Sequence, residues 1–329
     1  MIISRTPYRI SFFGGGTDYP TWYTEHGGAV LSATINKYCY ITARKLPPFF
    51  EYKNRIRYFK NEETQTLEAI EHPSVREVAR YLNIEEGLEI VHAGDLPAQS
   101  GLGSSSTFTV GLLNALHGLQ NYMPNKRELA LKAIHIEQNV IGEAVGSQDQ
   151  AAAAFGGLNL ITFSKSRIID VDPILLSEAR LLDLQDHLLL CFTGFARTAS
   201  VIAQQQIDQI HAKASELNSM QILCDEALKA LINEEVPISK FGSLLHEQWQ
   251  IKRKLSTVIT NKQIDEIYER GIGAGAIGGK LLGAGSGGFM LFLAPKDKHE
   301  AIKKSLREKL FVPFRFESTG SKIIYFSHD

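Results

Sequence analysis

One stretch of small polar residues, PAQSGLGSSST at 97–107, constrains the fold of this chain more than any other feature. It follows the apolar run LEIVHAGDL and leads into STFTVGLLNALHGL, which has the composition of a buried helix. The pattern predicts a strand, a loop and a helix start. Unpaired N–H groups at a helix N-terminus bind anions, and glycines let a phosphate approach the backbone closely. A serine N-cap would need only one of the serines, so the excess favours phosphate binding.

Strand and helix patterns alternate along the chain and predict an α+β protein with mixed strand pairing. MIISRTPYRISFF, AVLSATINKYCYITARKL and LEIVHAG have strand composition, whereas HPSVREVARYLNI has helical spacing. Asn125 is expected to cap a helix over NKRELALKAIHIEQNVI, and SQDQAAAAFGG to form a short helix ended by glycine. Later helices are expected from Ala199 to about Ile232 and from Ile238 to Leu255. The 329 residues suggest two domains, 1–170 and 171–329.

Composition excludes several classes of protein. The net charge of −1 gives no basic excess for nucleic acid or an anionic membrane. No apolar run reaches the roughly 18 to 20 residues that cross a bilayer, and the first residues do not resemble a signal peptide. Cys39, Cys191 and Cys224 are odd in number and far apart, which indicates reduced core thiols. We therefore expect a cytoplasmic protein without a nucleic-acid or membrane partner.

Two further glycine-rich segments are candidates for ligand binding. RISFFGGGTDYP, at 9–20, joins a strand to three glycines and Asp18, which suits a small polar ligand, although taken alone a turn with an Asx cap explains it better. GAGSGGF, at 283–289, fits either a ligand loop or a bulged hairpin. The G-x-G-x-x-G matches from Gly273 and Gly283 lack the strand-then-helix context of a dinucleotide site, and the P-loop pattern fails.

Two carboxylates complete the residue types that phosphoryl transfer requires. Asp149 begins an alanine-rich helix, where it could also be an ordinary first-turn acid. Glu137 lies on the preceding helix, where it could be a plain surface acid. With a basic residue and three glycine-rich loops, they would supply a proton acceptor, a metal ligand and anion-binding backbone.

Taken together, PYRISFFGGGTDY, PAQSGLGSSST and KLLGAGSGGF resemble, in this order, the three motifs of the GHMP kinases, the superfamily of galactokinase, homoserine kinase, mevalonate kinase and phosphomevalonate kinase. The resemblance covers nearly the whole chain. It implies a two-domain GHMP kinase fold, with a left-handed crossover in the N-terminal α+β domain, a ferredoxin-like C-terminal domain and the site between them. It also implies ATP and Mg²⁺ as cofactors, and it is compatible with a homodimer.

The resemblance also implies roles for single residues. Asp149 matches the acid that orients or deprotonates the acceptor hydroxyl, and Arg9 matches a basic residue near the transferring phosphoryl group. Ser105 and Glu137 match the Mg²⁺ ligands. The ATP phosphates are expected at Gly101, Leu102, Gly103, Ser104, Ser105 and Ser106.

The TDY sequence after the triple glycine argues for a sugar substrate, because many family members without sugar substrates lack it. GGGTDYPTWY and GGKLLGAGSGGF look most like the D-glycero-D-manno-heptose 7-phosphate kinases, which phosphorylate the anomeric hydroxyl, and L-fucose kinase domains are the nearest alternative. An inactive nucleotide- and sugar-binding sensor of the same fold is a second alternative. The expected partner is thus a small sugar phosphate, bound by Gly16, Thr17, Asp18, Tyr19, Arg197, Lys280, Gly285 and Ser286.

Four cations of the C-terminal half are candidates for binding the 7-phosphate. Arg197 and Lys280 are lone cations beside glycine-bearing loops and are therefore favoured. Lys252 and Arg253, in WQIKRKLS, are expected on a solvated helix face instead. Lys280 could alternatively serve ATP, since it immediately precedes the third motif.

Overall fold

The computed structural model of the protein describes residues 1–194 and 199–327, so Arg197 lies outside the described residues. Within these ranges the chain forms two β-sheets covered by helices, as predicted for an α+β protein. The strands are β1 (Ile2–Phe13), β2 (Gly28–Lys45), β3 (Asn54–Arg57), β4 (Asn61–Thr64), β5 (Leu88–Gly94), β6 (Leu158–Phe163), β7 (Ile169–Pro173), β8 (Leu188–Phe192), β9 (Gly278–Leu281), β10 (Phe289–Leu293), β11 (Leu310–Phe311) and β12 (Lys322–Phe326). The helices are α1 (Pro20–His26), α2 (Pro73–Tyr81), α3 (Ser104–Leu119), α4 (Lys126–His135), α5 (Gln148–Phe155), α6 (Glu178–Asp186), α7 (Ala199–Asp208), α8 (Ala214–Ile232), α9 (Ile238–Lys252), α10 (Lys262–Gly273) and α11 (His299–Ser305).

The first sheet has eight strands, six of them in the order β12-β1-β2-β5-β3-β4. Strand β2 is long enough to pair with β6 over 28–33 and with β5 over 39–45, and β7 extends the sheet beyond β6. The pairs are antiparallel except β3 with β5. The last strand of the chain pairs with the first, so the C-terminal residues return to the N-terminal sheet. A domain boundary near residue 170 stays a prediction.

The second sheet has four antiparallel strands in the order β11-β8-β10-β9. Helices α7 to α10 connect β8 to β9, and α11 lies between β10 and β11. This is the β-α-β-β-α-β arrangement of the ferredoxin-like domain that the resemblance implied. The left-handed crossover in the first domain stays a prediction. The helix expected from Ala199 to about Ile232 is interrupted by a 3₁₀ turn at His211–Lys213.

Helix α3 positions the glycine-serine loop. It is buried around nearly its whole circumference, as expected for a helix with apolar residues on every side, and it packs on β1 and β2. A Cβ on Gly111 would lie 2.8 Å from Oγ1 of Thr6, so this glycine allows the helix to approach β1 closely. The backbone N–H of Arg9 in β1 donates to the carbonyl of Leu102 at 3.1 Å, which fixes the loop against the strand.

The helix that contains Glu137 does not keep regular α-helical geometry to its end. Oδ1 of Asn125 accepts from the N–H of Glu128 at 2.9 Å, which confirms the predicted cap. The single helix expected over 125–141 instead changes at its end to a wider π-helical turn, Ile136–Ile141, which includes Glu137. Such turns occur frequently at functional sites. Helix α5 forms as predicted and ends at Gly156, whose φ is 68°.

Other features of the described chain bear on its environment. Cys39, Cys191 and Cys224 are buried free thiols, as the composition predicted. Among the residues described, no helix combines the length and apolar character that a membrane span requires.

Candidate active site

A cleft of about 350 Å³ is lined by residues from both halves of the chain. It brings together many of the residues singled out in the sequence: Arg9, Gly16, Asp18, Tyr19, Gly101, Gly103, Ser104, Ser105, Ser106, Asp149 and Lys280. The remaining candidates with described positions lie behind this surface: Thr17, Leu102, Glu137, Gly285 and Ser286.

Arg9 of β1 and Asp149 of α5 form an ion pair on the cleft wall. Nε of Arg9 donates to Oδ1 of Asp149 at 2.7 Å, and Nη2 donates to Oδ2 at 2.8 Å. The remaining nitrogen, Nη1, donates to the carbonyl of Gly101 at 2.9 Å. The planar fork of arginine permits this bidentate geometry, which lysine cannot reproduce. The two predicted catalytic residues thus form one hydrogen-bonded unit that also contacts the glycine-serine loop.

Asp18 is held beside this pair by hydrogen bonds from nearby loops. Its Oδ1 accepts from the N–H of Gly16 at 2.9 Å, and its Oδ2 accepts from Nε2 of Gln148 at 3.0 Å. A Cβ on Gly146 would lie 1.9 Å from Oδ2, so only glycine fits there. Burial raises the pKa of Asp18, the hydrogen bond from Gly16 opposes this change, and the charge of Asp149 adds to it. A carboxyl in this position can exchange hydrogen bonds with ligand hydroxyls.

The neighbours of Asp18 have different roles. Thr17 is fully buried, and its hydroxyl contacts the carbonyls of Gly14 at 2.8 Å and Ala29 at 3.1 Å, so it shapes the triple-glycine turn instead of the cleft. Tyr19 lines the cleft, and burial raises the pKa of its hydroxyl, which therefore stays neutral.

The glycine-serine loop adopts a conformation that depends on two glycines. Gly101 and Gly103 have φ angles of 79° and 77°, which side chains disfavour. Gly103 occupies the cap position of α3, so the serine N-cap that the sequence allowed does not form, and no side chain of the described residues caps the first turn. A Cβ on Gly103 would lie 3.3 Å from Oδ2 of Asp149. The open helix N-terminus therefore lies next to the ion pair, where it can bind an anion.

The third glycine-rich loop packs directly on this one. A Cβ on Gly101 would lie 2.5 Å from the carbonyl oxygen of Leu282, and a Cβ on Gly283 would lie 2.4 Å from Cα of Gly101. The two halves of the chain thus meet here backbone to backbone.

Only the first part of the third loop faces the cleft, at Gly283 and Ala284. The N–H of Ser286 donates to the carbonyl of Ile259 at 2.8 Å, and a Cβ on Gly285 would lie 2.8 Å from Cα of Ile259. The structure therefore directs Gly285 and Ser286 toward the segment before α10 and not into the cleft.

Glu137 lies fully buried behind the glycine-serine loop. Its Oε2 accepts from Oγ of Ser106 at 2.7 Å and from the side-chain amide of Gln150, and the hydroxyl of Thr109 also acts on the carboxylate. Oε1 has no close hydrogen-bond partner among the described residues. Burial raises the pKa of Glu137 to about 7. An unpartnered carboxylate oxygen beside a serine hydroxyl fits Mg²⁺, which prefers oxygen ligands. The serine that contacts Glu137 is Ser106, not the Ser105 that the resemblance implied.

Ser105 contacts a different acid, Glu143, which the sequence analysis did not include. Burial raises the pKa of Glu143, and the hydrogen bond from the Ser105 hydroxyl opposes this change. The N–H of Glu143 donates to the carbonyl of Glu137 at 2.8 Å, so the π-helical turn brings a second acid to the cleft wall. The glycine before it, Gly142, has a φ of 78° and marks this turn in the sequence.

Lys252 is not on a solvated helix face, so that expectation was wrong. It is 6% exposed, and its Nζ donates to the carbonyls of Leu281 at 3.1 Å and Gly283 at 2.5 Å. The physical reason is its position in α9, where it continues the buried stripe of Leu245 and Trp249 at helical spacing. That spacing is the sequence signal that would have identified it.

Lys280 of β9 lies in the cleft near Lys252. It is 2% exposed, and its Nζ donates to the carbonyl of Phe12 at 2.8 Å. Burial lowers the pKa of Lys252 to about 7 and lowers that of Lys280 well below its usual value, and the charge of Arg9 acts in the same direction on both.

Comparison with known proteins gives independent evidence. Residues 69–157 match the N-terminal domain of the GHMP kinases, and residues 227–311 match their C-terminal domain. The D-glycero-alpha-D-manno-heptose 7-phosphate kinase of Campylobacter jejuni is 30% identical over 98% of each chain. The bifunctional fucokinase/GDP-fucose pyrophosphorylase of Arabidopsis thaliana is 28% identical over 92% of this chain and 30% of its own. The crystal structure of a D-glycero-D-manno-heptose 1-phosphate kinase from Bacteroides thetaiotaomicron matches all of both chains with a TM-score of 0.81 at 24% identity.

The matches agree with the geometry of the cleft. The two family domains occur in the expected order and together cover more than half of the chain. A relative aligned from end to end extends the match to the remaining segments. The open N-terminus of α3, the Arg9–Asp149 pair and the buried Glu137 are compatible with transfer of a phosphoryl group. The chain therefore belongs to the GHMP kinases, a family of phosphotransferases.

Proposed function

We propose that the protein is an ATP-dependent sugar-1-kinase that transfers the γ-phosphoryl group of ATP to the anomeric hydroxyl of D-glycero-D-manno-heptose 7-phosphate, giving the 1,7-bisphosphate. The observation that carries a sugar acceptor is the buried Asp18 carboxyl beside the Arg9–Asp149 pair. A carboxyl oriented by Gly16 and Gln148 can bind hydroxyls next to the reacting one. The heptose relative, which aligns over nearly its whole length, supports the choice of sugar.

Each part of the cleft has a role in this proposal. The N–H groups at 101–106 bind the ATP phosphates, because they lie at an uncapped helix N-terminus. Asp149 orients the anomeric hydroxyl or accepts its proton, and Arg9 stabilises negative charge on the transferring group. An anomeric hydroxyl is more acidic than an ordinary alcohol, so a strong base is not required.

Mg²⁺ would be held by Glu137 together with a serine of the loop. Ser106 already contacts Glu137, while Ser105 and Glu143 lie at the adjoining cleft wall. When bound, the cation neutralises charge on the ATP phosphates.

An L-fucose kinase is the second candidate, favoured by the similarity to the Arabidopsis fucokinase. The two candidates differ in acceptor charge, because a sugar 7-phosphate carries close to two negative charges at neutral pH. We assign Lys280, and Arg197 as a further prediction, to that phosphate. Lys280 is buried and pairs with no acid among the described residues, which supports a charged acceptor over a neutral sugar.

A substrate screen tests the proposal. The protein is incubated with Mg²⁺, ATP and, separately, heptose 7-phosphate, the same heptose without phosphate, L-fucose and D-galactose. ADP release measures turnover, and phosphorus NMR locates the new phosphate. We expect kcat/KM for heptose 7-phosphate to exceed that of each neutral sugar by about tenfold or more, the scale of a lost charge-assisted hydrogen bond.

Two results would contradict it. Equal turnover of L-fucose or another neutral hexose would remove the heptose assignment and leave a sugar-1-kinase. Binding of ATP and sugar without ADP release would instead indicate a catalytically inactive sensor.

A further inference from the structure

Two buried lysines share one wall of the cleft, and neither pairs with an acid in the part of the chain that the structure describes. Lys252 and Lys280 are 6% and 2% exposed, and the described residues provide no carboxylate within 4.0 Å of either ammonium. Their partners are backbone carbonyls: those of Leu281 and Gly283 for Lys252, and that of Phe12 for Lys280. An ammonium has three N–H donors, so one donor on Lys252 and two on Lys280 remain available.

The neighbouring charges do not neutralise these lysines. Arg9 from β1 is itself a cation, and its partner Asp149 from α5 is already engaged in the bidentate pair. Asp18, from the loop after β1, is the acid whose charge acts on both lysines, and Cys224 of α8 also acts on Lys280. The Asp18 carboxylate accepts its hydrogen bonds from Gly16 and Gln148 instead of from the lysines. The wall thus has more positive than negative groups.

Uncompensated charge of this kind is unfavourable in the free protein. Burying an ammonium without an acid partner costs its hydration, which is why burial lowers the pKa of Lys252 to about 7. An anion in the cleft would compensate the positive charge of the lysines and accept hydrogen bonds from their remaining N–H donors. Lysines at such a position are explained by a ligand that carries the missing negative charge.

We propose that Lys252 and Lys280 form an anion subsite on the C-terminal wall of the cleft, which binds a terminal phosphate group. Two sources supply this chemistry: the γ-phosphate of ATP, and the phosphate of a phosphorylated acceptor. Only the second source rests on the proposed function. Lys252 is the member that was expected on a solvated helix face, and it links the ligand to β9 and the third glycine-rich loop through the carbonyls of Leu281 and Gly283.

Isothermal titration calorimetry on the full chain separates the sources. The probes are inorganic phosphate, a non-hydrolysable ATP analogue, heptose 7-phosphate and the same heptose without phosphate. The variants are Lys252→Met and Lys280→Met, with Lys240→Met as control, because Lys240 is an exposed lysine on the same helix. We expect both buried variants to weaken binding of inorganic phosphate and of one phosphate ligand by about tenfold or more. The sugar without phosphate and the Lys240 control should be unaffected.

The ligand whose binding affinity falls identifies the source of the phosphate group. If only the ATP analogue loses affinity, the subsite binds the γ-phosphate. If only heptose 7-phosphate loses affinity, the subsite binds the phosphate of the acceptor. If the ATP analogue depends on both lysines while no heptose is phosphorylated, the proposed acceptor fails and the subsite stands. Changes below about twofold for every phosphate ligand would overturn the subsite.

Two further measurements separate ligand binding from a structural role. Lys252→Gln keeps N–H donors for the two carbonyls but removes the charge. If Lys252 only tethers the loop, this variant should bind the phosphate ligands with normal affinity. If Lys252 belongs to the subsite, it should lose as much phosphate affinity as Lys252→Met. When a phosphate ligand binds to the wild-type protein near pH 7.5, the complex should also take up protons, because the anion favours the charged form of the lysine. This uptake is measured as a binding enthalpy that depends on the buffer. Proton uptake that persists unchanged in Lys252→Met would overturn the role of Lys252.

Discussion

The guanidinium of Arg9 donates two hydrogen bonds, of 2.7 and 2.8 Å, to the carboxylate of Asp149, 140 residues later in the chain. Arg9 is almost fully enclosed, whereas the Asp149 side chain is 24% exposed on the cleft side. The arginine therefore fixes the direction of the carboxylate while leaving it accessible to a ligand. Substitutions on the two sides of this pair should affect catalysis for different reasons.

Asp149→Asn should lower kcat by roughly 10²-fold or more, the scale of losing a general base, while ATP still binds. The amide keeps the size and one acceptor but loses charge and basicity. Steady-state kinetics and ATP-analogue titration measure the two effects, and Asp170→Asn is the control, because Asp170 is an exposed acid paired with Arg127. Near-normal turnover would reduce Asp149 to a first-turn helix residue.

Arg9→Lys should lower kcat by about 10- to 100-fold, since lysine keeps the charge but cannot make two parallel bonds to a carboxylate and a third to Gly101. The matched control is Arg127→Lys, in an exposed ion pair of 3.3 Å, where no change is expected. If both variants retain wild-type kinetics, the bidentate geometry has no catalytic importance.

Glu137→Gln should weaken metal binding by about tenfold or more, because an amide is a poor ligand for a hard cation. Mn²⁺ in place of Mg²⁺ allows the affinity to be measured by electron paramagnetic resonance without turnover. Glu143→Gln should give a smaller loss, and Glu300→Gln, on an exposed side chain of α11, should give none. An unchanged Mn²⁺ titration in Glu137→Gln would exclude this acid from the metal site.

Gly146→Ala should raise the KM for the sugar while binding of the ATP analogue changes little, because the new Cβ would lie 1.9 Å from Oδ2 of Asp18 and displace the carboxyl. Overpacking of this kind also costs about 1–3 kcal/mol of stability, visible as a lower melting temperature. Gly273→Ala is the control, because a Cβ there meets no atom within 4 Å. Unchanged sugar kinetics in Gly146→Ala would argue against Asp18 as a sugar ligand.

Lys252→Met should stabilise the unliganded protein, most strongly at and below pH 7. The pKa of Lys252 is about 7 in the folded state and near 10.5 when unfolded, so the unfolded chain binds more protons between these values. Burial of Lys252 therefore lowers the free energy of unfolding by its full amount below pH 7, and this destabilisation decreases as the pH rises toward 10.5. Melting temperatures of both proteins across this range test it, and a difference that does not shrink with pH would contradict it.

The ferredoxin-like second domain was implied by the family resemblance, whereas the sequence patterns themselves predicted the α+β class and the positions of the glycine-rich loops. These features depend on short-range patterns. Apolar periodicity specifies strands and helices, and glycines at 101 and 103 mark a backbone with positive φ before a helix. The resemblance of three such motifs in order then pointed to a kinase, because each motif is a local device for binding phosphate or substrate.

Tertiary structure decided how residues far apart in the sequence meet. The buried Glu137 contacts Ser106, and Glu143 contacts Ser105, because a π-helical turn shifts the acids relative to α3. Lys252 looked solvated in the basic segment WQIKRKLS, yet β9 and the third glycine-rich loop cover it. Burial and the charge of neighbours from other elements set these contacts, and a linear pattern contains neither.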